Sequence, residues 1–580
     1  MIGKRSPATL FDVGNVFDVE LRPNSFHAQL ARVSDRLFSD DDFADLYSTR
    51  LGRPSCPPSL LALTLLMQTE CGVSDEEAVD RTAYDMRWAA VLRRPAGSPL
   101  CAKSTLQLFR AHLVLHDRVQ QIMVKSIEEA RRSGLLRKHS ALSLAVDTKP
   151  MVGRGAVEDT YNLLARGVRL LSRRLSVLDG AGSSEWLAAN GYSRYGASSI
   201  KGSAEIDWSD ADARARFLGE VVADAQRLLA MADQRSEETA KEACLLRELL
   251  MQDVEGIDGD APALRTGTSP DRVPSASDPD QRHGHKNKRR IFQGHKNSIS
   301  VEPESQIITS AEVLPGNAGD AQGLLDLVKQ ASENTGTPVA QVLGDCAYGS
   351  GCTRKELLEA EIDLVARVPA VTNQGGMFSK TAFTIDLSAG TATCPAGQVT
   401  ATSSQDRLGG RVFHFGKVCE HCPLRPKCTR STQGRTLHVH PQEALLQEAR
   451  ARQATPDGRA LLRKRIVVEH CLARLAWLGI AQARYFGRAR SRYQLIMACA
   501  VANLRRTWNW CTGNGASVPV GNRPLLVACG PLTFALWAMP ADTSAQGQLR
   551  PSSFYRLTVD LCQSVLHLCR CRNTRFRLGF

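Results

Sequence analysis

The sequence predicts an α/β chain: a mixed sheet carrying one helical and one cysteine-rich insertion, behind an all-helical N-terminal domain. Three observations predict it. Up to about residue 135 apolar residues recur at three- and four-residue spacing, with helix-start signals ahead of them. From Ser143 the pattern turns to strand-like runs, which resume at Ser298 and again at VAQVLGD and DLVARVP. The helical runs AQGLLDLVKQA and KELLEA separate these, giving three strands, helix, strand, helix, strand.

Within residues 1–135, Pro57 and Pro58 open SLLALTLLMQ. SDEE (Ser74 to Glu77) reads as a capping box ahead of AVDRTAYDMRWAAVL, and Ser104 with Gln107 reads as a second. No metal-ligand or nucleophile pattern occurs there, so this domain is expected to pack helices or to dock on DNA. SLAVD then forms a β-run with Asp147 at its end. Residues 155–265 return to helical periodicity, and 259–280 read as a loop rich in Pro, Gly, Ser and Asp. NSISVEP and SQIITSAEVLP predict a hairpin turning at Glu304 and Ser305; Asp320 is expected to cap the next helix. A cysteine-bearing segment, 376–440, precedes a long helix over about 458–482, and LIMACAVANLRRTW closes a domain spanning 141–512. Residues 513–580 show few periodic runs and are expected to lack a packed core.

Length and charge narrow the class of function. A chain of 580 residues exceeds one ordinary core, and 43% apolar with 23% charged residues excludes wholesale disorder. Lys and Arg outnumber Asp and Glu by 73 to 60, a net charge of +13, which favours a polyanionic partner. The N-terminus has no apolar signal core, and the longest apolar stretch, Pro524 to Pro540, is too short to span a bilayer. A cytoplasmic protein with reduced thiols and no membrane partner is the expectation.

Three carboxylates carry the chemistry. Asp147 and Asp345 each follow an apolar β-run, LAV and VLG, which places them at a sheet rim. Glu469 lies on a helix beside a buried stripe of Val468, Leu472 and Leu475, with Arg465 one turn earlier. Mg²⁺ prefers carboxylate oxygens, and two such ions can activate a hydroxyl and stabilise the leaving oxygen in phosphodiester displacement. Singly each acid reads as an ordinary turn or cap residue; the order Asp, Asp, Glu on strand, strand and helix is what singles them out.

The words around these acids carry a resemblance. AVDTKP, SDPD (Ser277 to Asp280), GHKNSISVEP, VLPGN ending at Asn317, LGDCAYGSG, VVEHCLARL, ARYFGRARSRYQ and NLRR resemble bacterial insertion-sequence transposases of the DDE class. FDVELRPNSFHAQL, PPSLLALTLLMQ and STLQLFR are similar to the helical domain that precedes the catalytic domain in those proteins. The resemblance covers roughly residues 10 to 510. It implies an RNase-H-like catalytic fold in which Asp147, Asp345 and Glu469 hold Mg²⁺ or Mn²⁺. It also implies double-stranded DNA as partner, both terminal inverted repeats and target, and a homo-oligomer on DNA that cleaves and transfers strands. One departure is plain. Where related families place a Tyr three residues before the Arg and a Lys seven after the Glu, this chain has Leu462 and Ala476. Arg484 or Arg488 would have to supply their DNA contacts. A nuclease using the same triad, or a DNA-binding protein whose catalysis has decayed, are the alternatives.

Two further segments stand out. RHGHKNKRRIFQGHK, residues 282–296, holds six Lys/Arg, three His and no acid. Lys286, Lys288, Arg289, Arg290 and Lys296, with Arg465, Arg484 and Arg488, are the expected phosphate contacts, the run itself being read as a loop leading into the sheet. Cys419, Cys422 and Cys428 in VCEHCPLRPKC, with Cys394 upstream, are candidate ligands of a structural zinc ion. C-x5-C is not the usual second half of such a site, and reduced structural thiols are the alternative.

Overall fold

Strand β1 (Leu142–Val152) is the axis of a six-stranded mixed sheet. In the computed structural model of the chain, the described residues are 1–6, 12–13, 21–22, 24–50, 52–257, 262–287, 289–369, 375–513, 526–529 and 532–535. The other sheet strands are β2 (Arg282–Asn287), β3 (Arg290–Val301), β4 (Ile308–Pro315), β5 (Val339–Leu343) and β6 (Asp363–Val365). On one side β1 pairs antiparallel with β3, which pairs antiparallel with β4; on the other β1, β5 and β6 run parallel. β2 continues the β4 edge, pairing with β3 where β4 has stopped. At that junction Gly294 runs so close to β1 that a Cβ would stand 2.1 Å from the Met151 carbonyl oxygen.

The predicted strands and their order are present, with two corrections. Asp147 is not the last residue of its strand, because pairing with β3 carries β1 on to Val152. The basic run is not a loop: residues 282–287 and 290–301 form the β2–β3 hairpin.

Helices α1 (Phe26–Leu37), α2 (Pro58–Cys71), α3 (Asp75–Tyr84), α4 (Met86–Leu92), α5 (Lys103–Leu115) and α6 (Val119–Arg132) form the N-terminal part. Ser74 caps α3 by accepting from the Glu77 amide at 3.1 Å. The helix then breaks at Asp85, whose carboxylate accepts from the Arg87 amide and starts α4. The second box does not form: α5 begins after Ala102 without a side-chain cap, and Gln107 donates to Asp75 instead. Residues 155–265 are largely helical, with α7 (Thr160–Leu178), α8 (Ala211–Asp233) and α9 (Ser236–Asp253) around their own core of Leu164, Leu171, Val221, Leu228 and Leu246.

Helix α10 (Leu324–Thr335) and helix α11 (Gly351–Glu359) cover one face of the sheet, burying Leu144 and Val146 of β1. Asp320 does not cap α10; Gly323, at φ 69°, holds the N-cap position. Between β6 and α12 (Glu443–Ala454) the chain folds into two three-stranded antiparallel sheets over a core of Phe383, Phe413, Phe415 and Leu437. The predicted helix over 458–482 is two helices, α13 (Pro456–Lys464) and α14 (Ile466–Trp477), meeting at Arg465.

α14 and the closing helix α15 (Arg488–Cys511) lie on the opposite face, in one core with Ala145 and Met151 of β1 and with the N-terminal helices. Apolar residues all round the middle of α15, from Leu495 to Leu504, are buried accordingly. Within it Asn503 accepts from the Ile308 amide at 2.8 Å and donates to the same residue's carbonyl at 2.9 Å, which pins α15 to β4. Beyond Gly515 the described residues are an antiparallel pair, Leu526–Cys529 with Leu532–Ala535. The rest of the predicted tail lies outside the described residues.

Candidate active site

The β1–β5 ladder pairs Ser143 with Gln341, Leu144 with Val342 and Ala145 with Leu343. Asp147 and Asp345 each stand two residues beyond its last pair, so the two acids meet at one rim. Strand alternation puts Asp147 on the face of Ala145 and Met151, the face that α14 covers. Val468, Cys471, Leu472 and Leu475 fasten α14 there, and Glu469 projects half-exposed beside them. Sequence reasoning named the three acids, and in the structure the Asp147 carboxylate lies within electrostatic reach of Asp345 and of Glu469.

Arg465 sits among them. One guanidinium nitrogen donates to the Glu469 carboxylate at 2.7 Å, and the other lies 3.8 Å from Asp147. Burial pushes the Asp147 carboxyl up to about 6. The Thr148 amide, donating to it at 2.8 Å, and the Arg465 charge oppose that shift, while the Asp345 and Glu469 charges add to it. Among the described residues no group of three or more His, Cys, Asp or Glu side chains is gathered as a ready ligand set for a metal ion.

The word GDCAYGS shapes the second acid locally. A Cβ on Gly344 would stand 2.8 Å from the Tyr348 Cβ and 2.9 Å from its Cγ, so only glycine lets that ring lie against the backbone. Asp345 accepts from the Ala347 amide at 2.8 Å and caps a short 3-10 turn, Cys346–Tyr348. Ser350 then caps α11 through the Thr353 amide.

Two residues missed as site residues lie next to the acids. Asp320 accepts from the Thr148 hydroxyl and from the Lys296 ammonium, each at 2.8 Å, on the far side of β1 from α14. Tyr348 is 1% exposed, within electrostatic reach of Asp147, Asp320 and Asp345. Both stand in words already singled out, the Asp three residues after VLPGN and the Tyr of LGDCAYGSG, which was the available signal.

The expected phosphate contacts separate into groups. Lys286, Arg289 and Arg290 are exposed on the hairpin, while Lys288 lies outside the described residues. Lys149, on the Asp147 face of β1, feels the Lys286 charge, which with burial lowers its pKa. Lys296 is turned inward, donating to Asp320 and to the Ala318 carbonyl, a correction to its reading as a surface contact. Arg484 donates to the Val73 carbonyl at 2.9 Å and so ties the connection between α14 and α15 to the N-terminal helices. Arg488 is exposed at the start of α15, where its amide donates to Asp280.

Cys394, Cys419, Cys422 and Cys428 line one small cavity with Phe378, Phe415 and Arg435. Burial pushes the Cys428 thiol up, the other three cysteines adding to the effect against Arg435. The Arg435 amide donates to the Cys419 sulfur at 3.5 Å.

Fold and site together define a mixed α/β protein with an acidic site at the sheet rim and cationic side chains around it. Two family models match it: Transposase DDE domain over residues 393–508, and Transposase domain (DUF772) over residues 15–112. Together they support an insertion-sequence DDE transposase, the class that its motifs resemble. The DDE match takes in the cysteines, Arg465 and Glu469; Asp147 and Asp345 precede it. No curated protein and no solved structure matches the chain. No helix among the described residues is long and apolar enough to cross a membrane.

Proposed function

We propose that the chain cleaves and rejoins DNA at insertion-sequence ends, using a divalent-cation site formed by Asp147, Asp345 and Glu469. The observation that carries this reading is the matched placement of Asp147 and Asp345 past the β1–β5 ladder, with Glu469 held over the same face of β1. The strand order β4-β3-β1-β5-β6, antiparallel through β1 and parallel beyond it, supports an RNase-H-like catalytic fold. The donor type fits a hard cation, since all three side chains are carboxylates and Asp147 is held partly desolvated against neighbouring negative charge. Mg²⁺ or Mn²⁺ would supply activation of a water or 3′-hydroxyl and charge for the departing oxygen.

The chain's own residues do the rest. Asp147 offers oxygens from within β1, Asp345 from just past the end of β5, and Glu469 from a packed helix. Arg465 balances Asp147 and Glu469, and its guanidinium would also serve as a contact for a phosphate oxygen. Lys149, Lys286, Arg289 and Arg290 neutralise the DNA backbone along the β1–β3 side, and Arg488 does so at the start of α15. A structural zinc ion on Cys394, Cys419, Cys422 and Cys428 is part of the same reading, supported by their shared cavity and the few core residues around it. The test is Mg²⁺-dependent cleavage of a labelled duplex carrying the repeats that flank the gene. Wild-type protein should cut it and Asp345→Ala should not.

A further inference from the structure

Four cysteines and two arginines line the cavity of the cysteine segment. The cavity at Cys394, Cys419, Cys422 and Cys428 measures about 20 Å³, room for one ion or water and nothing larger. Short turns build it. The Gly397 amide donates to the Cys394 carbonyl, and the Cys428 amide to the Arg425 carbonyl, each at 2.9 Å. Gly434 runs so close to Gly416 that a Cβ would strike the Gly416 carbonyl oxygen. That approach sets Arg435 against the Cys419 turn. Its amide donates to the Cys419 sulfur at 3.5 Å, and its carbonyl accepts from the Phe415 amide at 3.0 Å.

The two arginines differ. Arg425 donates to the Glu420 and Ser431 carbonyls on the exposed side. Arg435 is held more closely: one terminal nitrogen donates to the Cys428 carbonyl at 3.1 Å and the other to the Phe378 carbonyl at 3.2 Å. The same group lies over the Phe383 ring, 5.5 Å from its centre. Its Nε is buried without a hydrogen-bond partner among the described residues. A cation held so, with a donor unused, costs stability beside neutral thiols. Beside a loaded zinc site it is an asset, because four thiolates around one Zn²⁺ leave a double negative charge in a segment with a small core. A guanidinium does not lose its proton, so it offsets that charge permanently.

We propose that Arg435 is a positioning residue of the zinc site, its guanidinium fastening the Cys428 turn to Phe378 and offsetting the negative charge of four thiolates. This rests on the reading of the four cysteines as zinc ligands, and the experiment separates the two. Full-length wild-type, Arg435→Gln, Arg435→Lys and Cys428→Ser proteins are stripped of metal in reducing buffer. Zn²⁺ affinity is measured by competition with a chromophoric chelator, and the thiolate-to-Co²⁺ absorption of cobalt-loaded protein reports how many sulfurs bind. Arg435→Gln should bind Zn²⁺ about 100-fold more weakly than wild type, the upper range for losing a group that supports metal ligands. Arg435→Lys keeps the charge and loses the fork, so it should recover about tenfold of that loss. Both should reach the wild-type Co²⁺ absorption at saturation, whereas Cys428→Ser should fall short of it. Wild-type Zn²⁺ affinity in the Arg435 variants, with Cys428→Ser weakened, overturns the role of Arg435 and leaves the zinc site standing. If only Arg435→Lys folds, wild-type affinity in that variant is enough to overturn the role. Equal losses in Arg435→Gln and Arg435→Lys overturn the counter-charge. Wild-type protein that takes up neither Zn²⁺ nor Co²⁺ overturns both readings.

Discussion

Asp147, within β1, and Asp345, just past the end of β5, occupy matching positions two residues beyond the last pair of the parallel β1–β5 ladder. Opposite-facing loops or a shifted register would separate them. Pairing of β1 with β3 continues past this point, so Asp147 is held by a strand on one side while its other side is open. That one-sided support lets a carboxylate be both rigid and reachable.

Arg465 stands in for positive charge in this arrangement. Arg465→Ala should lower the cation-free melting temperature by about 1–3 °C, because Asp147 and Glu469 then face each other and Asp345 without a counter-charge. Added Mg²⁺ should stabilise the variant more than wild type. Equal cation-free melting temperatures would show that the guanidinium contacts carry no energy.

The pH dependence follows from Asp147. Its carboxyl is raised from 3.8 to about 6, so the folded protein holds a proton that the unfolded chain releases. Stability from this group is fully present below about pH 4 and is lost as pH rises through about 6. Cations require the ionised carboxylate, so stabilisation by Mg²⁺ should run the other way, growing between about pH 5 and 7. Melts across this range with and without Mg²⁺ check both trends, and Asp147→Asn should flatten them.

Lys286, Arg289 and Arg290 should act differently from Lys296, although all four belong to one basic run. Changing the first three to Gln should weaken DNA binding and reduce the slope of log affinity against log salt by about 3. Lys296→Ala should leave that slope alone and destabilise the fold, since Asp320 loses an ion pair at 2.8 Å. A salt slope unchanged in the triple variant would remove the hairpin from the DNA-binding surface.

Much of this was legible in the sequence because period and alternation report burial. Leu144, Ala145 and Val146 announce a strand covered on both faces, and Val468, Leu472 and Leu475 announce the buried side of α14. The β2–β3 hairpin was hidden because its strand pattern is written in charged residues, whose composition reads as loop. Lys296 could not be told from its neighbours, since adjacency in a basic run says nothing of which side chain turns inward. Asp320 precedes a helical run and so reads as a cap, yet Gly323 takes that position and the carboxylate goes to Lys296. The break at Arg465 carries no Pro or Gly to mark it. Nothing in the word LGDCAYGSG shows that the Tyr348 hydroxyl is buried without a hydrogen-bond partner among the described residues; only the fold does.

The cysteine segment makes a separate prediction. Native protein should carry about one zinc ion per chain, and Cys428→Ser should release it and lower the melting temperature. Zinc-free protein that melts like the native form would leave the four thiols as ordinary core and cavity residues.

The central claim is tested most directly by nicking of a supercoiled plasmid that carries the element ends, with Mg²⁺, by wild-type and Asp147→Ala proteins. DNA affinity is measured on the same preparations. The account predicts that Asp147→Ala binds the ends as wild type does, because phosphate contacts lie on other side chains, and that it nicks none of the plasmid. Nicking by Asp147→Ala at the wild-type rate would contradict it.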